Sequence, residues 1–276
     1  MKEIDDYLNL CLSIVTPSKD ERSRASLHRG EIEACLIARL SAFRIFETGS
    51  WSHGTAVSPW SDVDYFVSLS GTRPRESLPD LTTVRDALRL GLAGATAYIN
   101  RPAVSVRSHD GPDVEIVPAH VAGDDDYFIP EPNGTGWIKS SPLKHNACVD
   151  TSRDRTPQTK QFIRLIKEWK YQQNVQISSL YLEMRASKHV LDHPPFIMSM
   201  DLSWFLRDLH RDGLAAMNDP SRFDGRRIQP VQKPGQLANA KASVELAHKA
   251  SSLAEDCRKA GNGPLAVEAW QILFDP

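Results

Sequence analysis

One set of alternate positions in residues 62–69 (DVDYFVSL) is wholly apolar, and this pattern constrains the fold more than any other feature of the chain. A period of two is typical of a β-strand with a buried face. The apolar positions are Val63, Tyr65, Val67 and Leu69. Asp62 and Asp64 therefore project together from the opposite face, where two like charges in an apolar strand are costly. A divalent cation such as Mg²⁺, which prefers carboxylate and phosphate oxygens, would offset their repulsion.

A Gly-Ser pair precedes this strand. Gly49 and Ser50 follow a segment with strand character, 43–48, and open a loop rich in Gly, Ser, Thr and Pro. The backbone N–H groups and the hydroxyl of such a loop can approach phosphates closely. Alone, a Gly-Ser pair predicts only a turn, and an Asp-x-Asp pair is most often solvated. Their combination, with eleven residues between Ser50 and Asp62, is far more specific.

A later carboxylate can complete a metal site. Segments 103–108 and 114–118 read as strands, and the turn chemistry of 109–112 between them predicts a hairpin. If the second strand lies beside the Asp-containing strand, Glu115 becomes a third ligand. Two ions about 3.5–4 Å apart would then stabilise the attacking and leaving oxygens of phosphoryl transfer. Asp113 shares this face and is a rival third ligand, and a solvated hairpin carboxylate is the plainer alternative.

The remaining pattern is mostly helical. Helix-like apolar spacing occurs over 5–15 and 28–43, and the clearest helix covers 157–171. Phe162, Leu165, Ile166 and Trp169 form its apolar stripe, opposite a basic face of Lys160, Arg164 and Lys167. We therefore predict an α/β (α+β) fold, with a sheet-containing core in residues 1–150 and a helical domain in residues 151–276.

The composition excludes several classes of protein. A net charge of −2 creates no strong overall field for nucleic acid. The N-terminus (MKEIDDYLNL) lacks the apolar segment of a secretory signal, and no apolar run is long enough to span a bilayer. The cysteines are Cys11, Cys35, Cys148 and Cys257. Their scattered spacing predicts free thiols in a cytoplasmic protein rather than a zinc site.

Together, these motifs resemble the DNA polymerase β-like nucleotidyltransferase superfamily, whose pattern is Gly-Gly/Ser, a gap, Asp-x-Asp/Glu and a later acidic residue. The loop GSWSHGTAVSPWSDVD narrows the likeness. Its Gly-Thr-Ala and Pro-x-Ser-Asp-x-Asp resemble the cGAS/DncV-like nucleotidyltransferases (CD-NTases) of bacterial CBASS anti-phage signalling. VEIVPA resembles the strand that carries their third carboxylate, with Glu115 where Asp is usual. The segments GTGWIKSSPLKH, FIRLIKEWK and ISSLYLE resemble further parts of that family.

The resemblance implies a fold and a set of site residues. The fold would be a polymerase-β-like mixed sheet with a C-terminal helical domain, bilobal with a central active-site cleft. Gly49, Ser50, Lys167 and Ser179 would bind the donor triphosphate. Asp62, Asp64 and Glu115 would be catalytic and would hold two Mg²⁺ ions, which Mn²⁺ could replace. A solvated Lys167 and an N-cap role for Ser179 are the plainer alternatives.

One family position differs in this chain. Leu180 stands where cyclic GMP–AMP synthase has a Tyr that stacks on the base, so Trp51 and Tyr65 become the candidate base contacts. Aromatic residues at such positions more often belong to the core.

The activity implied by the resemblance is the joining of NTPs, ATP among them, into a cyclic di- or trinucleotide with release of pyrophosphate. The resemblance also implies possible regulatory partner proteins and does not imply activation by DNA. We expect no membrane association and a monomer. A nucleotidyltransferase that modifies tRNA, protein or a small molecule is the alternative, although tRNA would favour a broadly basic surface. An inactive nucleotide-binding module would be expected to lack a metal carboxylate, and all three are present.

Overall fold

A computed structural model describes residues 2–40, 42, 44–92, 94–107, 111–221 and 225–275. In chain order, the helices and strands are α1 Lys2–Val15, α2 Lys19–Leu40, β1 Arg44–Thr48, α3 Gly49–His53, β2 Val63–Ser68, α4 Leu78–Gly91, β3 Thr96–Asn100, β4 Ala103–Arg107, β5 Val114–Val121, β6 Tyr127–Pro130, β7 Trp137–Ser140, α5 Pro142–Arg155, α6 Thr159–Gln172, α7 Ser179–Asp192, α8 Met198–Arg211, β8 Met217–Asn218, β9 Arg227–Ile228, α9 Leu237–Lys259 and α10 Gly263–Phe274. A 3₁₀ turn, Pro234–Gln236, precedes α9.

The chain forms two compact units. The sheet unit comprises Pro17–Asn146, and the helical unit comprises Met1–Thr16 with Ala147–Pro276. The later boundary lies close to the predicted division between residues 150 and 151. The assignment of residues 1–16 to the sheet-containing core was wrong, because α1 buries Ile4 and Leu8 in the core of the helical unit.

The sheet unit contains a mixed sheet in the order β1-β2-β5-β4-β3, and β6 and β7 continue from β5. The strands β2 and β5 are parallel, and the other neighbouring strands are antiparallel. The predicted pairing of the segments around Ser105 and Glu115 is confirmed, since β4 and β5 pair antiparallel. Two residues of the predicted turn, His109 and Asp110, lie outside the described residues. The same is true of Ser108 and Phe43, which belong to the predicted strands.

Apolar packing covers both faces of this sheet. On one face, the alternate positions Val63, Tyr65 and Val67 of β2 pack with apolar residues of α2 and α4. On the other, Phe66 joins Tyr127 in a smaller cluster. Those five residues are buried, whereas Asp64 at the start of β2 is half-buried. The polar face that the sequence predicts is therefore confined to the beginning of the strand.

The long helix α2 begins earlier than the apolar spacing predicts. The predicted start was residue 28, but the helix begins at Lys19. Ser18 and Glu21 form a capping box: the Glu21 N–H donates to Ser18 Oγ at 3.1 Å, and the Ser18 N–H donates to Glu21 Oε2 at 2.8 Å. These bonds satisfy backbone donors that the first turn of a helix leaves without partners.

The helical unit has one large apolar core. The predicted apolar stripe of α6 is confirmed, since Phe162, Leu165, Ile166 and Trp169 are all buried. Lys167 was expected on the basic face opposite this stripe, and this was wrong. Its side chain is 1% exposed, and its Nζ lies 2.7 Å from Glu183 Oε2 of α7. An ion pair explains how a lysine is tolerated inside this core.

The four cysteines are free thiols, as predicted. Among the described residues, no helix combines the length and apolarity needed to cross a bilayer.

Candidate active site

The sheet places the predicted carboxylates next to each other. In the parallel pair of β2 and β5, Asp64 lies opposite Glu115. On the outer sides, Thr48 lies opposite Asp64 and Ser105 lies opposite Glu115. Directly opposed residues share a face of the sheet. A single row across four strands therefore carries Thr48, Asp64, Glu115 and Ser105.

Asp62 precedes β2 and adds a third carboxylate. The Val63 N–H donates to the Asp113 carbonyl at 2.9 Å, which holds the start of β2 against the start of β5. Burial of its carboxyl group, followed by the negative charges of Glu115 and Asp113, raises the pKa of Asp62 from 3.8 to about 6. Asp62 as a whole residue is nevertheless exposed to solvent. A carboxylate whose negative charge is disfavoured in this way is a suitable ligand for a cation.

Glu115 is held by two hydrogen bonds. Asn100 Nδ2 and Ser105 Oγ each donate to Glu115 Oε1, and both distances are 3.1 Å. The donors come from β3 and β4. Neither was among the predicted site residues, because their role depends on strand pairing rather than on a motif.

Gly49 is in close contact with Asp64. It has a φ of +64°, and a Cβ atom added to it would lie 2.0 Å from Asp64 Oδ2. A glycine is therefore required here both by the backbone conformation and by the space that the carboxylate occupies. Ser50 follows at the start of α3 and is half-buried.

The loop between Gly49 and Asp62 is anchored at several points. The Ser50 carbonyl accepts the Thr55 N–H at 2.8 Å. The Trp51 indole N–H donates to the Ser61 carbonyl at 3.1 Å. Ser58 Oγ donates to Glu21 of α2. The Gly-Ser motif is thus held beside the carboxylates by an ordered loop.

We predict that Gly49→Ala lowers any metal-dependent turnover by about 100-fold, because the methyl group displaces the Asp64 carboxylate. It should also destabilise the sheet unit by roughly 1 kcal/mol or more through strain at positive φ. Gly94→Ala is the matched control, since Gly94 has a φ of +75° with nothing within 4 Å of an added Cβ. Steady-state kinetics and thermal unfolding of both variants measure the two effects. Equal turnover in the two variants would contradict the role of the Asp64 contact.

The carboxylates suit a hard divalent cation. Asp62, Asp64 and Glu115 offer only oxygen donors, and the negative charge of Glu115 adds to burial in raising the pKa of Asp62. Within the described part of the chain, their oxygens are not gathered within 4.8 Å of one another. An ion bound by all three would therefore draw the side chains together.

A histidine cluster in the helical unit is a different feature. The donor atoms of His189, His193 and Asp208 do lie within 4.8 Å of one another. However, the two imidazole rings are stacked, with centroids 4.4 Å and planes 22° apart. The in-plane lone pairs of nearly parallel rings do not converge on one ion. His189 Nε2 instead lies 2.9 Å from the buried Asp201, so we interpret the cluster as packing.

The helical unit brings Ser179 next to a lysine that the motifs did not single out. Lys170 Nζ donates to Ser179 Oγ at 2.7 Å. Burial, followed by the nearby charge of Lys167, lowers the pKa of Lys170 to about 8. The N-cap of α7 is Ser178, whose Oγ accepts the Tyr181 N–H, so Ser179 does not have the N-cap role considered above. Lys170 lies three residues from Lys167 on α6, and side chains at this spacing are neighbours on a helix. This spacing was the feature of the sequence that could have identified Lys170 as a candidate site residue.

The aromatic candidates for base stacking belong to the core. Tyr65 is 1% exposed and packs between the sheet and its helices, so that expectation was wrong. Trp51 packs partly against the same cluster, and its indole N–H is used within the loop. Leu180, which stands where the resemblance places a base-stacking Tyr, is 36% exposed.

Residues 1–152 match the SMODS family, described as a Second Messenger Oligonucleotide or Dinucleotide Synthetase domain. No curated protein sequence matches the chain significantly.

Solved structures show the same fold. CdnC of E. coli MS115-1 with ATP has a TM-score of 0.77 and 21% identity, over 100% of this chain and 97% of that one. CdnG of Bradyrhizobium diazoefficiens with GTP has a TM-score of 0.73 and 13% identity, over 98% of each chain. The Vibrio cholerae cyclic AMP-GMP synthase DncV, with the linear intermediate pppA(3′,5′)pG, has a TM-score of 0.67 and 14% identity, over 84% of this chain and 69% of that one.

The fold is thus the mixed α/β nucleotidyltransferase fold with a helical C-terminal region. Because the family match covers more than half of its residues, this chain belongs to the SMODS family of second messenger oligonucleotide or dinucleotide synthetases.

Proposed function

We propose that this protein is a metal-dependent nucleotidyltransferase that joins NTPs, ATP among them, into a cyclic di- or trinucleotide messenger of bacterial anti-phage defence. The observation that carries the proposal is the pairing of Asp64 with Glu115 in neighbouring strands, with Gly49 against Asp64. The family's description supports oligonucleotide synthesis. The relative solved with a linear dinucleotide intermediate supports a cyclic product.

In this mechanism, Asp62 and Asp64 would hold two Mg²⁺ ions, for which Mn²⁺ could substitute, and Glu115 would help to hold one of them. When bound, such ions would supply Lewis acidity to a ribose hydroxyl and positive charge opposite the phosphates. Gly49 and Ser50 orient the donor triphosphate, the glycine through its small size and the serine through its hydroxyl. These residues act mainly by positioning and electrostatics.

The transfer step forms one bond and breaks one. The ribose oxygen of the acceptor nucleotide bonds to the α-phosphorus of the donor, and its proton passes to solvent. The bond between the α-phosphorus and the bridging oxygen of the β-phosphate breaks, and pyrophosphate leaves. A second transfer within the same molecule closes the ring.

We assign a phosphate contact to Lys170 together with Ser179, whose side chains lie 2.7 Å apart. A lysine ammonium is a compact positive charge that suits phosphate. The resemblance suggested Lys167 for this contact. Lys167 is instead buried and paired with Glu183, so we assign the contact to Lys170.

This assignment predicts a pH dependence. The Lys170 pKa of about 8 means that its charge is lost as the pH rises through 8, so the KM for NTP should rise there. In Lys170→Arg, whose guanidinium stays charged, this rise should disappear, and Lys170→Met should raise the KM at every pH. Measurement of the KM for NTP between about pH 6.5 and 9.5, a range that spans the Lys170 pKa, tests this prediction. An unchanged pH profile in Lys170→Arg would remove Lys170 from the site.

Incubation of the purified protein with the four NTPs and Mg²⁺ or Mn²⁺, followed by mass spectrometry, tests the proposed function. We expect a cyclic oligonucleotide and pyrophosphate, and neither in Asp62→Asn/Asp64→Asn. Transfer of a nucleotide to RNA or protein, with no cyclic product under any activating condition, would contradict the proposal. Wholly unchanged turnover in the double variant would contradict the site.

Regulation by a partner protein belongs to the same proposal. CdnC of E. coli MS115-1 has also been solved in a complex with a HORMA protein, and that structure has a TM-score of 0.76 with 21% identity to this chain. We therefore expect that a partner protein controls turnover. A cytoplasmic location, where NTPs are abundant, is part of the proposal, and the monomeric state stays a prediction.

A further inference from the structure

Glu115 differs from the two aspartates in the freedom of its side chain. It has one methylene group more than an aspartate, and each additional rotatable bond makes a fixed carboxylate position entropically more costly. A metal ligand needs its oxygen in a fixed place, and hydrogen bonds from neighbouring groups commonly provide this. The relevant neighbours of Glu115 are therefore the groups that bond its carboxylate.

Those groups are Asn100 and Ser105, and both donate to the same oxygen. Asn100 Nδ2 and Ser105 Oγ each lie 3.1 Å from Glu115 Oε1. Two donors from two strands restrict both the position and the rotation of the carboxylate. Because both bonds fall on Oε1, Oε2 is the oxygen that is left for a metal ion.

The position of Ser105 fits this role. It is 5% exposed and lies on β4 between the buried residues Val104 and Val106. On the sheet it is opposite Glu115, which in turn is opposite Asp64. A hydroxyl in an apolar strand therefore lies directly beside the third carboxylate.

A second buried serine shows that the sheet does not itself require such a bond. Ser68 of β2 is fully buried, and its Oγ has no hydrogen-bond partner among the described residues. The two serines thus differ in hydrogen bonding while sharing a sheet and a buried environment. This makes Ser68 a matched control for Ser105.

We propose that Asn100 and Ser105 are positioning residues that hold Glu115 Oε1, so that Glu115 serves as the third metal ligand in place of an aspartate. The inference rests on the proposed function, since it assumes that the carboxylates bind metal ions. It assigns a role to two residues outside the nucleotidyltransferase motifs.

The test is the affinity for Mn²⁺ alone, measured by electron paramagnetic resonance of free Mn²⁺ without nucleotide. Ser105→Ala should weaken binding by roughly 10- to 100-fold, the usual effect of removing a partner of a metal ligand. Asn100→Ala should weaken it by only about fivefold, since its bond is exposed to solvent. Ser68→Ala should bind as the wild type does.

A double-mutant cycle separates positioning from general damage. Glu115→Ala should itself weaken Mn²⁺ binding, and Ser105→Ala should have no further effect in that background. Equal effects of Ser105→Ala with and without Glu115 would overturn the inference, and so would wild-type affinity in the single variant. Thermal unfolding of each metal-free variant checks that the sheet unit is folded.

Failure of the proposed function can be distinguished from failure of this inference. If Asp62→Asn and Asp64→Asn leave Mn²⁺ binding unchanged, or the wild type binds none, the metal site itself is wrong and the inference fails with it. If both aspartate variants weaken binding while Ser105→Ala does not, only the inference is overturned.

Discussion

Asp62→Asn is expected to abolish most nucleotidyl transfer and, in the absence of metal, to make the protein more stable. The loss of activity follows from removal of a metal ligand. If the ligand contributes about 4 kcal/mol of transition-state stabilisation, its removal lowers the rate roughly 10³-fold. The gain follows from the raised pKa of Asp62, which shows that the folded protein disfavours this negative charge. Kinetics and chemical denaturation at several pH values measure the two effects.

The sign of the pH dependence follows from the two pKa values. In the unfolded chain, Asp62 ionises near 3.8, whereas in the metal-free folded protein it holds its proton to about 6. The folded state therefore binds more protons between these values, and wild-type stability falls as the pH rises from about 4 through 6. Above pH 6, Asp62→Asn should be more stable by about 1–2 kcal/mol, a figure that allows for screening by water at the exposed edge.

Two comparisons give this prediction its controls. Asp125→Asn removes an exposed carboxylate elsewhere in the sheet unit and should change neither rate nor stability. With saturating Mg²⁺ or Mn²⁺, the stability advantage of Asp62→Asn should shrink or reverse, because the wild type gains binding energy that the variant lacks. An advantage that is the same at pH 4 and pH 8 would contradict the interpretation.

Lys167→Met is expected to cost the helical unit about 3–5 kcal/mol of stability, because it removes the positive charge that lies beside a buried carboxylate. Lys167 and Glu183 are 1% and 3% exposed, and their charged atoms lie 2.7 Å apart. Replacing both residues, as in Lys167→Met/Glu183→Leu, should recover much of the loss, since the buried carboxylate is then removed as well. Urea denaturation measures the free energy of unfolding of each variant.

An exposed pair on α7 provides the matched control. Lys188 and Asp192 are also 2.7 Å apart, but their side chains are 61% and 49% exposed. Lys188→Met should therefore cost less than about 0.5 kcal/mol. If the two lysine substitutions had equal effects, burial would not be the reason for the importance of the Lys167 pair.

Local patterns determined the parts of this protein that depend on a few consecutive residues. The alternation in 62–69 placed Asp62 and Asp64 at one end of a strand whose other face is apolar. The apolar stripe of α6 identified its buried side correctly. Turn chemistry predicted the pairing of β4 with β5, because a short turn between two consecutive strands folds them into an antiparallel hairpin.

Other features depended on contacts between residues far apart in the chain. The spacing on α6 places Lys170 near Lys167, but it could not show that Lys167 is buried or that Lys170 reaches Ser179, because Glu183 and Ser179 belong to the next helix. Likewise, the apolar face of α1 does not specify a partner, and only tertiary packing placed that helix in the helical unit.

The candidate site divides in the same way. Its acidic residues and its glycine were readable from the sequence, since metal and phosphate chemistry restricts residue type at short spacing. Only the sheet register placed Asp64 opposite Glu115 and Glu115 opposite Ser105. Only three-dimensional packing showed that Gly49 leaves the space that the Asp64 carboxylate fills. Register and close packing depend on all strands at once, and therefore no single segment of the chain encodes them.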